Sequence, residues 1–328
     1  MTMAEANYYQ DGEVLDFTPA VALSAGDALQ ISDGRAAVAT SAIAANTQGA
    51  VTVCGVFSFT KTSGVVLLDG GRAYWDYSAN AVTYKKVNDR DFYLGRVVGD
   101  ATSSSTTCYV NLNVDPKPTI DMLRDGALSV ATGTAAAGGF GLPVNYGGSA
   151  ALSLTATNEA QCVDMLSVDR VALNANPIAE FVVRLAGIGS TNAVDLSIGL
   201  ANGTSTTDAD AITESVFFHY DGHASDLSIL AESDDGTTEV NATDTTIDFP
   251  AVGSAVANRM EFWLDGRDPS NVKYYINGAE VLAATSNLGN IAAATGPLGL
   301  LVHVEKASGT ATFGPLYIDR AELRIMEQ

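Results

Sequence analysis

The chain has 328 residues, 47% hydrophobic and only 17% charged, with a formal net charge of −21. That balance describes a folded protein long enough for two domains and excludes a disordered chain. The acidity disfavours partners that present phosphate, nucleic acids and anionic membranes alike, by like-charge repulsion.

No window holds the roughly 18 uninterrupted apolar residues of a membrane-spanning helix. Residues 1–7 lack the basic and apolar parts of a signal peptide, so use without Sec export is expected. The charge is unevenly placed. Residues 1–117 hold 12 acids and 8 bases, a net of −4, whereas residues 118–328 hold 26 acids and 9 bases, a net of −17. The nearly neutral part is the better candidate for docking, and the acidic part for facing solvent. Cys54, Cys108 and Cys162 form no CxxC pair, which argues against a metal framework. Cys54 and Cys108 sit in apolar runs as small hydrophobes, and pairing between them is left open.

Taken in chain order, residues 1–20 read as an arm. Tyr8, Tyr9, Val14, Leu15 and Phe17 are scattered among polar residues without period, a composition that orders on meeting a surface; an ordinary edge strand is the competing reading. Residues 21–114 read as a small β domain. Short β-branched and aromatic runs at about 51–60, 64–68, 73–77, 92–98 and 107–113 are punctuated by Gly and Asn/Asp turns, and residues 41–46 suit one helical turn. With no βαβ alternation, a mostly antiparallel barrel or compact sandwich is predicted.

Residues 115–149 read as a linker. Pro116 and Pro118 stop a strand, residues 119–124 suit a short helix, and residues 125–149 are rich in Gly, Ala, Ser and Thr. From 150 to 328, twelve runs with strand character predict two stacked antiparallel sheets. Asn277-Gly278 between two such runs is the clearest hairpin signal, since both positions tolerate positive φ.

The first domain resembles the capsid cement (head decoration) proteins of tailed phages across about residues 4–113. The matching pieces are Asp11-Gly12, Ala25-Gly26-Asp27, Ala37-Val38-Ala39, Gly55-Val56-Phe57 followed by Lys61, Tyr74-Trp75-Asp76 and Val110-Asn111-Leu112. One departure is Ala37, where the family carries Gly. The resemblance implies a β domain that binds the major capsid protein on the outer capsid surface as a homotrimer and stabilises the head, after synthesis in the host cytoplasm. On it, Tyr8, Tyr9, Val14 and Phe17 are the expected capsid contacts. The second domain resembles a concanavalin-type (laminin-G-like) jelly-roll β-sandwich. That likeness rests on residues 260–265, on Tyr274-Tyr275-Ile276-Asn277-Gly278 and on residues 317–323. It implies an outward-projecting module, with binding of surface glycans as the alternative function.

The chemical candidates are weaker. His219 and His223 lie four apart near Asp221 and Asp226, but in a strand running into a turn, where a metal site is not favoured. Asp265, Asp268 and Asn271 surround Gly266 and Pro269 in an oxygen-rich loop. Such loops hold Ca²⁺, although no EF-hand order is present and a solvated turn is favoured. No other cofactor is expected. Glu180, Glu261 and Glu305 fall in strand runs, where paired carboxylates would suggest a glycoside hydrolase. The tight acidic strand motif of such enzymes is missing, so outward-facing positions are expected. Trp75 and Trp263 read as core. No nucleophile, P-loop or metalloprotease motif is present, and the protein reads as all-β and non-enzymatic.

Overall fold

The protein is described here in a computed structural model covering residues 12–132, 149–155, 157–172, 175–185, 194–222, 226–249, 259–283, 289–307 and 313–325. It divides into two compact units, Met1–Lys117 and Pro118–Gln328. Regular structure is nearly all antiparallel strand. Among the described residues, the helical pieces are α1 (Met122–Asp125), a 3₁₀ turn at Ala209–Ala211 and the 3₁₀ residue Ala175.

The first unit contains β1 (Val14–Phe17), β2 (Ala28–Gln30), β3 (Ala36–Ala39), β4 (Gly49–Thr52), β5 (Val56–Thr60), β6 (Arg72–Asp76), β7 (Ala81–Thr83), β8 (Phe92–Val97) and β9 (Thr107–Leu112). These form a four-stranded sheet in the order β1-β4-β3-β2 and a five-stranded sheet in the order β5-β9-β8-β6-β7. A parallel bridge from Lys61 to Val82 ties the end of β5 to β7 and curls the larger sheet towards a barrel. Alternation explains its interior: Phe59, Cys108, Val110, Leu112, Leu94 and Trp75 point inward and are buried.

The predicted run 51–60 is broken into β4 and β5. Gly55 at φ 99° turns the chain between the two sheets, a conformation that favours glycine. Residues 41–46, expected as a helical turn, instead carry Ile43 to an antiparallel bridge with Leu23. The expected strand at 64–68 is reduced to a bridge between Leu67 and Ala101. Two side chains hold this unit's irregular parts. Asn113, at φ 57°, accepts a hydrogen bond from the Ala36 amide at 2.8 Å and donates to the Ala36 and Val53 carbonyls at 2.8 and 2.7 Å. It thereby stitches the end of β9 to the smaller sheet. Lys61, only 4% exposed, turns its ammonium onto the Thr62 and Val65 carbonyls.

The second unit contains β10 (Ile120–Asp121), β11 (Ala127–Thr132), β12 (Ala150–Leu154), β13 (Gln161–Ser167), β14 (Pro177–Leu185), β15 (Val194–Ala201) and β16 (Glu214–Tyr220). It continues with β17 (Ser228–Asp235), β18 (Glu239–Asp248), β19 (Arg259–Asp265), β20 (Lys273–Ile276), β21 (Ala279–Val281), β22 (Gly299–Lys306) and β23 (Phe313–Ile325). One seven-stranded sheet runs β10-β23-β14-β19-β20-β21 with β12 also on β23, and the other runs β11-β13-β22-β15-β16-β17-β18. A single apolar core draws on both sheets, with Phe181, Phe262 and Leu323 from one meeting Val302, Ile198 and Phe218 from the other. This is the predicted two-layer sandwich.

The linker expected at 115–149 is not one throughout. Ile120 and Asp121 pair with Leu323 and Glu322, and residues 127–132 pair with 162–167 along β13. Their short runs carry too little alternation to announce themselves, and the pairing is supplied by partners about 200 residues away for the first piece and 30 to 40 residues away for the second. The remaining part, 133–148, lies outside the described residues. The Asn277-Gly278 hairpin is as predicted, with φ of 51° and 77°.

Candidate functional site

Apolar surface is concentrated in the first unit. Of the ten exposed large hydrophobic residues among those described, seven lie there: Val14, Val21, Val56, Tyr77, Val87, Val98 and Tyr109. Three of them share one face of the larger sheet. Ser58 stands opposite Tyr109 and Val56 opposite Asn111 across the β5–β9 pair, so Val56 and Tyr109 are diagonal neighbours. Val98 follows beside them, its amide donating to the Tyr109 carbonyl at 2.9 Å. Val56 and Tyr109 are 53% and 56% exposed, although Phe59, Cys108, Val110 and Leu112 on the other face of the same strands are buried. An apolar face on an otherwise well-ordered sheet is what a docking surface requires.

The arm is only partly described. Tyr8 and Tyr9 lie outside the described residues. Val14 is on the open side of β1, 48% exposed. Phe17, expected as a capsid contact, turns the other way and packs against the core around Ala37, Ile43 and Val51. Strand alternation decides this, because β1 pairs with β4 from Val14↔Thr52 to Phe17↔Gly49.

Asp265, Asp268 and Asn271 are given other partners than a cation. The Asp265 carboxylate, 6% exposed, is clasped by Arg267 through Nε at 2.8 Å and a terminal nitrogen at 2.6 Å. Asp268 accepts from the Ser270 amide and hydroxyl at 3.1 and 2.6 Å, and the Asn271 amide donates to the Asp268 carbonyl. The loop is a hydrogen-bonded turn closed by a salt bridge.

Glu180 and Glu261 face away from the apolar core, as expected, yet they are buried at 5% and 1% exposure. Arg320 lies 3.7 Å from Glu180 and 3.6 Å from Glu261, Arg259 lies 2.6 Å from Glu261, and Arg324 also holds Glu180. Carboxylates neutralised by three guanidiniums are poor general acids or nucleophiles. Glu305 belongs to the other sheet, so the three acids do not converge.

The chemistry-bearing residues gather instead on the outer face of the second sheet. Register places Asp164 opposite His303, His303 opposite Ser197 and Ser197 opposite His219. One cross-strand row thus carries a carboxylate, two imidazoles and a hydroxyl. Glu305 and Cys162 stand opposite each other two residues along. This face is not open to solvent: Ala209 and Ile212, from the segment between β15 and β16, pack with Leu166, Ala201, Phe217 and Leu301 over it.

Each end of the row holds a cluster. At one end His303 lies 2.8 Å from Asp164 through Nδ1 and 3.2 Å from Glu305 through Nε2, all three buried. Burial opposes a charge on His303, yet Asp164, Cys162 and Glu305 together raise its pKa well above the usual value. The Cys162 thiol reaches the Ser205 carbonyl at 3.2 Å. At the other end His219 Nδ1 lies 2.9 Å from Glu232 Oε1 and 3.6 Å from Asp210 Oδ1. Burial again works against the charge, but Glu232, Asp210 and Asp195 push the His219 pKa up to about 9. Burial and the Glu232 charge push Asp210 up to about 7. His219 is one of the expected residues, but its expected neighbour His223 lies outside the described residues; Asp210 and Glu232 reach it only through the fold. All three cysteines are free thiols.

The class of protein is all-β, built from two antiparallel units. The first unit matches the phage cement proteins: that family's model aligns with residues 9–112, about a third of the chain. No curated protein matches the chain. Among solved structures, the legume lectin-like domain from Entamoeba histolytica is similar with a TM-score of 0.41 and 8% identity, covering 61% of this chain and 90% of its own. The laminarinase from Rhodothermus marinus is similar with a TM-score of 0.38 and 10% identity, covering 56% and 80%. The potassium-bound Emp46p carbohydrate recognition domain gives 0.37 and 12%, covering 53% and 82%.

Proposed function

We propose that the protein is a non-enzymatic phage capsid decoration protein. Its first unit binds the major capsid protein on the outer face of the shell, as a homotrimer, and stabilises the head. The second unit is displayed at the virion surface. The match of residues 9–112 to the cement proteins carries this reading. The apolar face of Val56, Val98 and Tyr109, the exposed Val14 and the low net charge of residues 1–117 support it.

The mechanism is binding energy. Each large apolar side chain removed from water contributes about 1.5–3 kcal/mol before ordering costs. Three copies acting together multiply a modest single-site affinity by avidity. The acidic second unit suits a densely decorated surface, where like charge keeps neighbouring copies soluble.

Sedimentation of the purified chain with undecorated heads of its phage tests the proposal. Saturable co-sedimentation with a trimeric free protein is the expected result. A chain that ignores heads refutes it. Trp263 and Tyr275, an aromatic pair of the second unit with ring centroids 6.0 Å apart, are 5% and 3% exposed, too covered to stack on a sugar. A glycan array read with and without Ca²⁺ is accordingly expected to stay blank; a specific signal would move the carbohydrate-binding alternative to the front.

A further inference from the structure

The two clusters of the buried row differ in how their polar atoms are satisfied. Around His303 every group has a partner in line: both ring nitrogens meet carboxylates and the Cys162 thiol meets a carbonyl. Around His219 they do not. His219 Nδ1 and Glu232 Oε1 are buried and lie 2.9 Å apart, yet neither makes a hydrogen bond. Their residues are 7% and 9% exposed, so water does not compensate them, and a buried polar atom left so is costly.

Once a cation displaces the proton that His219 holds at neutral pH, its Nδ1 and the neighbouring Glu232 oxygen offer two lone pairs within reach of a shared centre. Bonds of about 2.0–2.2 Å from one metal ion set its ligand atoms roughly 2.8–3.6 Å apart in octahedral or tetrahedral geometry. The observed separations from His219 Nδ1, 2.9 Å to Glu232 and 3.6 Å to Asp210, match that spacing. Room exists as well. A pocket of about 20 Å³, large enough for one water or ion, adjoins the cluster on its carboxylate side, where Asp210 and Glu232 line it together with Ser215, Asp234 and Glu239, while His219 stands behind them. Asp210, whose side chain is 50% exposed, offers a way in.

We propose that Asp210, His219 and Glu232 bind a divalent transition-metal cation of the Zn²⁺ or Mn²⁺ class, through His219 Nδ1 and one oxygen of each carboxylate. An imidazole beside two carboxylates selects this class over Ca²⁺ and Mg²⁺, which take oxygen ligands. A cation would also relieve the repulsion among the four acids of the cavity wall. Because Asp210 sits on the segment that covers the sheet and the other two ligands sit on β16 and β17, the ion would pin that segment to the face beneath it.

The test uses the full chain, stripped of metal with a chelator and titrated with Co²⁺ followed by visible absorption, then with Zn²⁺ in competition. The expected result is one Co²⁺ per chain, without a thiolate charge-transfer band, displaced by Zn²⁺. The affinity should fall at least about tenfold in Asp210→Asn and Glu232→Gln and stay unchanged in Cys162→Ser. Asp210→Asn alters a half-exposed residue, and circular dichroism with Trp263 fluorescence verifies that each variant is folded. A thiolate band abolished by Cys162→Ser would overturn the proposal and assign the ion to Cys162, Asp164 and His303. So would the absence of binding at millimolar Co²⁺ and Zn²⁺.

Discussion

Asn113 is the side chain through which the two sheets of the first unit are joined, and replacing it should unfold that unit far more readily than its single position suggests. Asn113→Ala removes three hydrogen bonds, one from the Ala36 amide and two to the Ala36 and Val53 carbonyls. Ala36 and Val53 are 0% and 4% exposed, so the abandoned groups do not recover their bonds from water. At about 1 kcal/mol net per bond, rising where a buried partner is orphaned, the loss is about 3–5 kcal/mol. The backbone adds to it: Asn113 sits at φ 57°, a region that asparagine tolerates and alanine occupies at a cost of about 1 kcal/mol. Asn113→Gly should therefore be less damaging than Asn113→Ala by about that 1 kcal/mol, while still losing all three bonds. Thermal unfolding of the full chain reads this out through Trp75, which is 8% exposed with its ring 6.1 Å from that of Phe59. A Trp263→Phe background silences the only other tryptophan. At about 3–6 °C per kcal/mol for a unit of this size, the Trp75 transition should drop by more than about 10 °C in Asn113→Ala. A drop under about 3 °C, or a glycine variant less stable than the alanine variant, would refute the reasoning.

Three further outcomes are expected. Tyr109→Asp and Val56→Asp, each at an exposed position of a strand whose other face is core, should leave the Trp75 transition unchanged while cutting head occupancy about tenfold or more at fixed concentration; unaltered occupancy removes that face from the docking surface. Asp91, 2% exposed, accepts from the amides of Tyr77, Val87 and Asn88 at 3.0, 2.9 and 2.7 Å. Burial alone would raise its pKa, but these donors pull it below the usual carboxylate value. Its contribution is thus fully present above about pH 4 and lost as pH falls through the lowered folded pKa. Asp91→Asn should cost about 1–3 kcal/mol at neutral pH and flatten the acid limb of the stability profile; an unchanged limb would dismiss the assignment. Gly95→Ala places a Cβ 2.1 Å from the Asn111 carbonyl oxygen of the paired strand. The β8–β9 pairing has no room to give there, so this variant should lose the Trp75 transition altogether, and a cooperative transition within about 5 °C of the wild type would contradict the close approach.

How much of this was legible beforehand depended on the range over which each residue acts. The strand runs of the second unit announced themselves through alternation and β-branched content, and Asn277-Gly278 marked its hairpin because two adjacent residues must both take positive φ. The short pieces 120–121 and 127–132 were hidden, since their pairing energy comes from β23 and β13 rather than from their own composition. Glu180, Glu261 and Glu305 take the outward faces expected of them, but their burial was hidden for a related reason. Alternation tells which face of a strand a residue takes, but not whether that face is later covered. Arg320 and Arg324 close over one sheet, and the segment around Ala209 and Ile212 closes over the other.

From the amino-acid sequence by itself came the all-β class, the division into a nearly neutral and a strongly acidic part, most strand positions and the resemblance of the first part to the cement proteins. The class, the charge division and the strand positions follow from composition and from periods of two residues, and the resemblance from short motifs in a fixed order; all are local properties. Tertiary structure decided that Phe17 turns inward while Val56 and Tyr109 stay exposed, that Asn113 bridges two sheets, and that Asp210, His219 and Glu232 meet. Those outcomes rest on strand order and register, which bring together residues 9, 13 or 77 positions apart. A one-residue slip would send each of these side chains to the opposite face. Register is chosen by the packing of the whole sheet, and no local stretch of the chain contains it.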